Sequence, residues 1–580
     1  MSEPRRPGDR ARVTDVGTTT TDAPPRYADG GELAAAGPGG TWFGHPRGLA
    51  TLFFTEMWER LSYYGMRGIL ILFMTAAAAT GGLVFNDGKA AAVYGLYTAM
   101  VYLLALPGGW VADNLWGQRR AVFVGGCIIA AGHFTLAGPL IGLPDIPTFY
   151  TGLILIVIGT GLLKPNISSM VGDLYPEGGA RRDAGFSVYY MGINLGAFFG
   201  PLICGYLGEN VNWHWGFSAA GFGMLLGLVQ YKVGDKNLGN AGLLDRDVPR
   251  ETLARRNRGF LIALVVTAGL VAAFVALGLS GTLGVTLEQV ATWLGYGIVL
   301  LTIVYFSYLI LGTVPALVMV AIYGALLAFL VPTRGVDDGA RLATIVILAL
   351  FIVTNGIYLA VKRSAVTMEK RRLMVIFWLF LLAALFWSGF EQAGSSMNLF
   401  ADRLTDRNIG GWEMPASWLQ SINPIFIITL APMFGYLWTW LAHRRANPSI
   451  PVKFALGLLG LAAGFFVISW GAANASAETP VSPAWLIVTY FLHTCGELAL
   501  SPVGLSSITK LAPRNRVGQM MGIWFIASAL GNLFAGLVAG RLESLEPQDL
   551  FWNVALTVGG VGLLALVLAP VIRRLMGPVD

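Results

Sequence analysis

Uninterrupted apolar stretches of about 20 residues recur along the whole chain, and they constrain its fold more than any other feature. A helix of that length crosses a hydrocarbon layer about 30 Å thick. Of the 580 residues, 55% are hydrophobic and only 12% are charged, whereas soluble domains carry about 25% charged residues. The sequence therefore predicts an all-α polytopic membrane protein.

Polar stretches divide the apolar runs into three groups. The first group lies at 48–78, 90–112, 119–141, 147–170, 185–208 and 213–233. The second group lies at 259–280, 292–312, 314–332 and 342–361, and the third at 374–399, 417–441, 452–471, 483–507, 519–540 and 551–572. Six runs, an insert and six further runs are typical of transporters built from two related bundles, whose substrate site lies between the bundles.

The predicted organisation has four parts. Residues 1–47 are rich in Pro, Gly, Thr and charge, which predicts a disordered cytoplasmic tail. An N-terminal six-helix bundle is expected at 48–233 and a C-terminal six-helix bundle at 374–580. Between them, 234–373 should form a linker and inserted transmembrane helices.

Basic residues predict the orientation of the chain, because cytoplasmic loops carry an excess of Lys and Arg. The basic clusters fall in gaps that share one side of the membrane: Arg119/Arg120, Arg181/Arg182, Arg255/Arg256/Arg258, Lys370/Arg371/Arg372, Arg444/Arg445, Arg514/Arg516 and Arg573/Arg574. Both termini are therefore expected in the cytoplasm. The chain is expected to be a multi-pass protein of the cytoplasmic (inner) membrane.

Composition argues against several functions. The formal charge is +6, but the basic residues are spread among short loops, so no nucleic-acid partner is expected. The 3 cysteines and 5 histidines show no ligand spacing, which argues against a metal site. No nucleophile–base pair or phosphate-binding loop is evident, so an enzyme is not expected. A channel is disfavoured because no filter sequence is evident.

The first apolar run contains an unusual set of charges within the stretch EMWERLSYYG (56–65). At about 100° per residue, its polar and aromatic side chains share one helix face: Glu56, Glu59, Arg60, Tyr63, Arg67 and, at the border, Tyr64. Glu56 and Arg60 stand four residues apart in the favourable order for pairing. Charges in a membrane are tolerated where they are paired or hydrated, so this face should point into the bundle.

Other runs carry isolated charges: Lys164 in the first group, and Glu391 and Glu497 in the third. Each half of the chain thus has charges that only the other half can satisfy. We expect Lys164 and Glu391 to pair across the halves as a gate, which protonation of the carboxylate or a competing substrate carboxylate would open. The alternative for any single charge is a buried structural ion pair.

The segment GGWVADNLWGQRR (108–120) joins the second and third runs. Its pattern G-x-x-A-D-x-x-x-G-x-R-R resembles the loop signature of the major facilitator superfamily. Asp113 can accept hydrogen bonds from a helix N-terminus or from Arg119 and Arg120, which would hold one gated state shut. An ordinary positively charged cytoplasmic loop is the alternative.

Five stretches together resemble the proton-coupled oligopeptide transporters, the POT or PTR2 family, of the bacterial type. They are E-x-x-E-R-x-x-Y-Y-G (56–65), GTGLLKPNISSMVGDLY (159–175), FSVYYMGINLGAFFGP (186–201), FWSGFEQAGSS (386–396) and GELALSPVGLS (496–506). The resemblance implies the major facilitator superfamily fold, with two six-helix bundles and extra helices between them. The family pattern implies fourteen helices, whereas a count of the apolar runs gives sixteen.

The resemblance also implies roles for individual residues. The proton-coupling group would be Glu56, Glu59, Arg60, Lys164 and Glu391. In the peptide site, the cations Arg60, Arg67 and Lys164 would face the peptide carboxylate, and Glu391 would be the acid coupled to Lys164. Glu497 would receive the peptide ammonium with the help of the amides of Asn194 and Asn423. The pocket residues would be Tyr63, Tyr64, Tyr102 and Trp387. For the tyrosines, core packing is an equal alternative, and for the two asparagines it is interhelical hydrogen bonding.

The function that the resemblance implies is a proton-coupled symporter that imports di- and tripeptides by alternating access. The proton is the coupling ion, and no cofactor is expected. The expected partners are peptides, peptidomimetic drugs and the lipid bilayer, with the monomer as the working unit. The alternative within the family is a carrier of nitrate, another small anion or a peptide-like drug. Outside the family, the remaining alternative is a membrane receptor or an enzyme.

Overall fold

The computed structural model describes residues 41–176, 178–244, 249–279, 284–362 and 366–577, and this part of the chain is almost entirely helical. The strands form two short antiparallel ribbons, β1 (Thr41–Trp42) with β2 (His45–Pro46) and β3 (Asn408–Ile409) with β4 (Trp412–Glu413). The expectation of an all-α chain is confirmed. The predicted disordered tail lies, up to residue 40, outside the described residues.

The first group of helices comprises α1 (Arg47–Thr75), α2 (Asp87–Leu103), α3 (Ala105–Val111), α4 (Gln118–Leu136), α5 (Asp145–Asp173), α6 (Gly179–Asn210) and α7 (Trp213–Gly234). The insert contains α8 (Arg250–Leu279), α9 (Leu287–Leu311), α10 (Thr313–Arg334) and α11 (Val336–Val361). The last group comprises α12 (Met368–Phe390), α13 (Ser396–Leu404), α14 (Ile422–His443), α15 (Ile450–Ala473), α16 (Ala484–Leu511), α17 (Val517–Ala539) and α18 (Pro547–Met576).

Twelve helical stretches among the described residues are long and apolar enough to cross a membrane. The chain is therefore a multi-pass membrane protein, as predicted. α1 has 29 residues but is not one of the twelve, because every window that could span the membrane contains several of its charges. The insert has one helix for each of its four apolar runs, and α9, α10 and α11 are among the twelve.

Glycines bring α1 and α6 into backbone contact. A Cβ atom added at Gly200 would lie 2.6 Å from the Leu61 carbonyl oxygen, and one added at Gly196 would lie 2.2 Å from the Met57 carbonyl oxygen. Small residues at a helix crossing allow this approach. In lipid the hydrophobic effect does not drive helices together, so close van der Waals packing of this kind stabilises their contact. The crossing fixes the rotation of α1, and with it the direction of its polar face.

A larger side chain at this crossing should destabilise the protein. We expect Gly200→Val to lower the midpoint of thermal unfolding by about 5 °C or more, because the added atoms must displace the α1 backbone. Gly68→Ala is the matched control, since its Cβ would make ordinary contacts at 3.5 Å with Pro201 and Ser417. Thermal unfolding in detergent measures both, and an unchanged midpoint for Gly200→Val would contradict the packing argument.

The two groups of helices meet at one end of the molecule. We call the ends of the molecule the Thr75 end and the Arg47 end, after the last and first residues of α1. At the Thr75 end, both terminal nitrogens of Arg403 lie 2.7 Å from Asp87, and the Asn86 amide donates to Glu543 at 3.0 Å.

The covering of α14 is incomplete towards the Arg47 end. In α14 only Pro424 and Ile427, both in its first half, are buried. Further along α14, Met433 and Tyr436 are 62% and 73% exposed, and the exposed positions lie on several faces of the helix. The charged face of α1 therefore lies between two halves that are linked by polar contacts at the Thr75 end and that leave much of α14 uncovered towards the Arg47 end.

Candidate functional site

Three buried charges form a compact group on α1. Arg60 Nε lies 2.9 Å from Glu56 Oε1 and 2.6 Å from Glu59 Oε2, and each of the three residues is at most 3% exposed. The predicted Glu56–Arg60 pair is present, and Glu59 shares the same guanidinium. Two carboxylates facing one cation carry one net negative charge, and such a group can bind a proton.

A second group joins the two halves. Arg67 Nη2 donates a hydrogen bond to Glu391 Oε2, and Arg67 Nε donates one to the Tyr94 hydroxyl. All three residues are buried. Glu391 is the first residue after α12, at the start of the 3-10 turn Glu391–Gly394, so its carboxylate leaves the helix and meets α1.

The expected Lys164–Glu391 pair is not formed among the described residues. Arg67 pairs with Glu391 instead of Lys164, because Arg67 lies nearer the Thr75 end, where the halves are in contact. Lys164 lies nearer the Arg47 end, and its ammonium nitrogen is 3.7 Å from the centroid of the Tyr102 ring. It interacts electrostatically with Glu59 and Glu391, but no carboxylate oxygen in the described part of the chain forms an ion pair with it.

On the opposite half, Glu497 and Asn423 lie together as predicted. The Asn423 amide donates to Glu497 Oε2 at 3.4 Å and to Thr494 Oγ1 at 2.9 Å. Glu497 is 8% exposed. The predicted third member, Asn194, makes a different contact: its amide donates to the Tyr190 carbonyl in its own helix. Asn194 thus acts within α6 in this structure.

The predicted pocket aromatics lie against the charges. The Arg60 guanidinium is 5.5 Å from the Tyr63 ring centroid, and the Arg67 guanidinium is 5.8 Å from that of Tyr64. Trp387 packs edge-on against Phe390, and among the described residues its indole nitrogen has no hydrogen-bond partner. These rings are consistent with both the pocket and the packing interpretation.

The predicted gating loop binds a different segment from the one expected. Arg119 Nε donates to the Ala241 carbonyl at 2.6 Å, and its Nη1 lies 3.5 Å from Asp235. Arg120 lies 5.7 Å from the Trp116 ring centroid, and Asp113 is exposed. The expected contact of Asp113 with the arginine pair is absent from the described residues, because carbonyl groups after α7 already occupy Arg119.

Three residues at the site were missed by the sequence reasoning. Tyr94 and Gly394 pack against the Arg67–Glu391 contact, and Tyr190 interacts electrostatically with Glu497 while 43% exposed. Tyr190 lies inside the quoted stretch 186–201 and could have been selected there. Gly394 likewise lies inside the quoted stretch 386–396, whereas the buried Tyr94 carries no such signal in one sequence.

Comparisons with known proteins agree on one family. Residues 119–256 and 331–550 match the model of the POT family. The chain is 40% identical over 555 residues to the peptide transporter YePEPT of Yersinia enterocolitica subsp. palearctica, which covers 93% of this chain and 97% of that protein. It is 33% identical over 546 residues to a di-/tripeptide transporter of Lactococcus lactis subsp. cremoris, covering 93% and 98% of the two chains.

A solved structure shows the same fold. The crystal structure of a mutant of the peptide transporter POT in complex with alafosfalin superposes with a TM-score of 0.76 at 36% identity, covering 94% of this chain and 99% of that one. The resemblance drawn from five motifs is thereby confirmed, as are the transporter-type fold of the major facilitator superfamily and the expectation of a transporter that is not an enzyme. The chain belongs to the POT family.

Proposed function

We propose that this chain is a symporter that imports di- and tripeptides together with protons across the cytoplasmic membrane. The observation that carries the proposal is the separation of opposite charges across the two halves. Lys164, without an ion-pair partner in the described part of the chain, lies on the first half, and Glu497 lies on the second. A peptide zwitterion has a carboxylate at one end and an ammonium at the other, so a cation on one half and an acid on the other suit its two ends in charge.

Recognition of the two charged termini explains how one site can accept peptides of many sequences. Every short peptide presents the same two charged termini, whereas its side chains differ. Aromatic rings such as Tyr63 and Tyr64 offer large contact areas with an adaptable polar tip. The relatives named for di- and tripeptides, and the one solved with alafosfalin, support the same substrate class and extend the proposal to peptide-like drugs.

Proton coupling is assigned to the two buried ion groups. In the Glu56–Glu59–Arg60 group, a proton on either carboxylate removes the excess negative charge. In the second group, a proton on Glu391 weakens its attraction to Arg67 and so favours separation of the halves. Proton binding and peptide binding would therefore both bias the same rearrangement of the two halves, which is the requirement for symport.

Alternating access would work through the contacts between the halves at the Thr75 end. With both termini in the cytoplasm, this end would face outward, and its opening would admit peptide from outside. Asp113, Arg119 and Arg120 lie at the cytoplasmic rim, where we expect Asp113 to find its partner when that end closes. We propose the monomer as the working unit.

Uptake into proteoliposomes tests the proposal. With an inward acid gradient, labelled dialanine should accumulate above its outside concentration, and a protonophore should abolish the accumulation. Entry no faster than into protein-free liposomes would contradict a peptide substrate. Accumulation that survives the protonophore would contradict proton coupling. Uptake of labelled nitrate without any uptake of peptide would favour the small-anion alternative.

A further inference from the structure

We propose that Tyr94 and Gly394 are a positioning pair that holds Arg67 against Glu391 and thereby keeps the Thr75 end closed. The inference rests on the proposed function, since it concerns how often the outer end opens to admit peptide. Neither residue contacts the charges assigned to the peptide termini, Lys164 and Glu497. Their role would be exerted through Arg67.

Tyr94 fixes one edge of the Arg67 side chain. Its ring is fully buried on α2, and its hydroxyl accepts the hydrogen bond from Arg67 Nε. A guanidinium is planar, and its donors leave in fixed directions. The hydrogen bond from Nε to Tyr94 therefore fixes the plane of the guanidinium, and in this orientation Nη2 donates to Glu391.

Gly394 makes room for that hydroxyl from the other half. A Cβ atom added at Gly394 would lie 1.9 Å from the Tyr94 hydroxyl oxygen and 3.0 Å from Arg67 Nε. The first distance is far below any real contact, and the buried Tyr94 ring has no free space into which it could turn. The halves can close over the Arg67–Glu391 pair only because position 394 has no side chain.

A neighbouring tyrosine provides the matched control. Tyr97 lies three residues further along α2 and is also buried, at 4% exposure. Within the described residues its hydroxyl has no hydrogen-bond partner. Tyr97→Phe and Tyr94→Phe therefore remove the same atom from the same helix, but only the second removes a hydrogen bond to Arg67.

The first test measures opening directly, in the absence of peptide. Spin labels are placed at Ile141→Cys and Ile409→Cys, both exposed positions at the Thr75 end, in a background carrying Cys127→Ser and Cys495→Ser. Pulsed electron paramagnetic resonance then gives the ratio of long to short distances. Tyr94→Phe and Gly394→Ala should each raise this ratio about tenfold, whereas Tyr97→Phe and Gly68→Ala should leave it unchanged.

The second test separates positioning from general damage. A larger outward-open population should lower the KM for external dialanine, because more of the protein is competent to bind it. The maximum rate should fall, since closure becomes slower to complete. A purely structural defect would lower the rate without improving the apparent affinity.

The outcomes distinguish this inference from the proposed function. If the wild-type protein fails to transport dialanine but the distances respond as expected, the proposed substrate is wrong and the positioning role stands. If Glu391→Gln opens the outer end but Tyr94→Phe and Gly394→Ala do not, the positioning role is wrong. Unchanged distances in Glu391→Gln would overturn the gate itself, and the inference with it.

Discussion

Glu391→Gln should abolish proton-driven accumulation of peptide while peptide exchange continues. Glutamine keeps the size of the side chain and can still accept a hydrogen bond from Arg67, but it cannot bind or release a proton at neutral pH. In the structure the Glu391 carboxylate binds Arg67 across the two halves. When position 391 cannot take up a proton, the proton gradient can no longer weaken this contact between the halves.

Two assays in proteoliposomes separate these effects. Accumulation of labelled dialanine under an inward acid gradient should fall at least about tenfold, to the level of simple equilibration. Counterflow, in which labelled peptide exchanges for unlabelled peptide without net proton movement, should keep a rate within about threefold of wild type. Accumulation at the wild-type level would remove Glu391 from the coupling role.

An exposed carboxylate at the same end serves as the control for Glu391. Glu413 pairs with Arg407 at 2.8 Å, but its side chain is 71% exposed. Exposed ion pairs contribute about 0–1 kcal/mol, so Glu413→Gln should leave both assays unchanged. A loss of accumulation in both variants would mean that removal of any negative charge at the Thr75 end is harmful. It would not then support a specific role for position 391.

Much of the fold follows from the sequence alone, because lipid leaves few options for a long apolar segment. A backbone in hydrocarbon must satisfy its own hydrogen bonds, so each run had to become a helix. The same reasoning placed Glu56, Glu59 and Arg60 on an inward face, since lipid would not accept them. Each of the three is at most 3% exposed, which confirms that placement.

The pairing of the charges could not be predicted in the same way. Helical periodicity gives the face on which a residue lies but not its depth relative to a residue on another helix. Lys164 was the expected partner of Glu391, and the pairing with Arg67 instead depends on the end of α12 at Phe390, which places Glu391 beside α1. Tyr94 was missed because a buried tyrosine near the middle of a helix normally indicates packing only.

Lys164→Gln should weaken the binding of a free dipeptide by about 100-fold, and it should do so through the peptide carboxylate. Lys164 has no ion-pair partner among the described residues. Its ammonium rests on the Tyr102 ring, an interaction that a carboxylate can replace at small cost. In contrast, Arg60 and Arg67 are already paired with acids of the protein, so each would have to give up a carboxylate to bind the peptide.

Chemical changes at the peptide termini identify which end each residue reads. Wild-type protein should bind dialanine about 100-fold more tightly than dialanine amide, and Lys164→Gln should bind the two almost equally. Glu497→Gln should instead lose the preference for the free amine over N-acetyl-dialanine. Isothermal titration calorimetry in detergent measures each affinity without requiring transport, so altered gating does not enter the comparison.

Each variant is also tested with the peptide analogue that is blocked at the other terminus. Lys164→Gln should keep the full preference for a free amine, and Glu497→Gln should keep the full preference for a free carboxylate, because each variant removes one partner only. If Lys164→Gln retains the preference for the free carboxylate, then Arg60 or Arg67 must bind that group. The peptide would then have to break a buried ion pair on entry, and protons that neutralise Glu59 or Glu391 would increase peptide affinity. If both preferences vanish in either variant, the two residues do not read separate ends, and the match between their separation and a zwitterion has no role in selectivity.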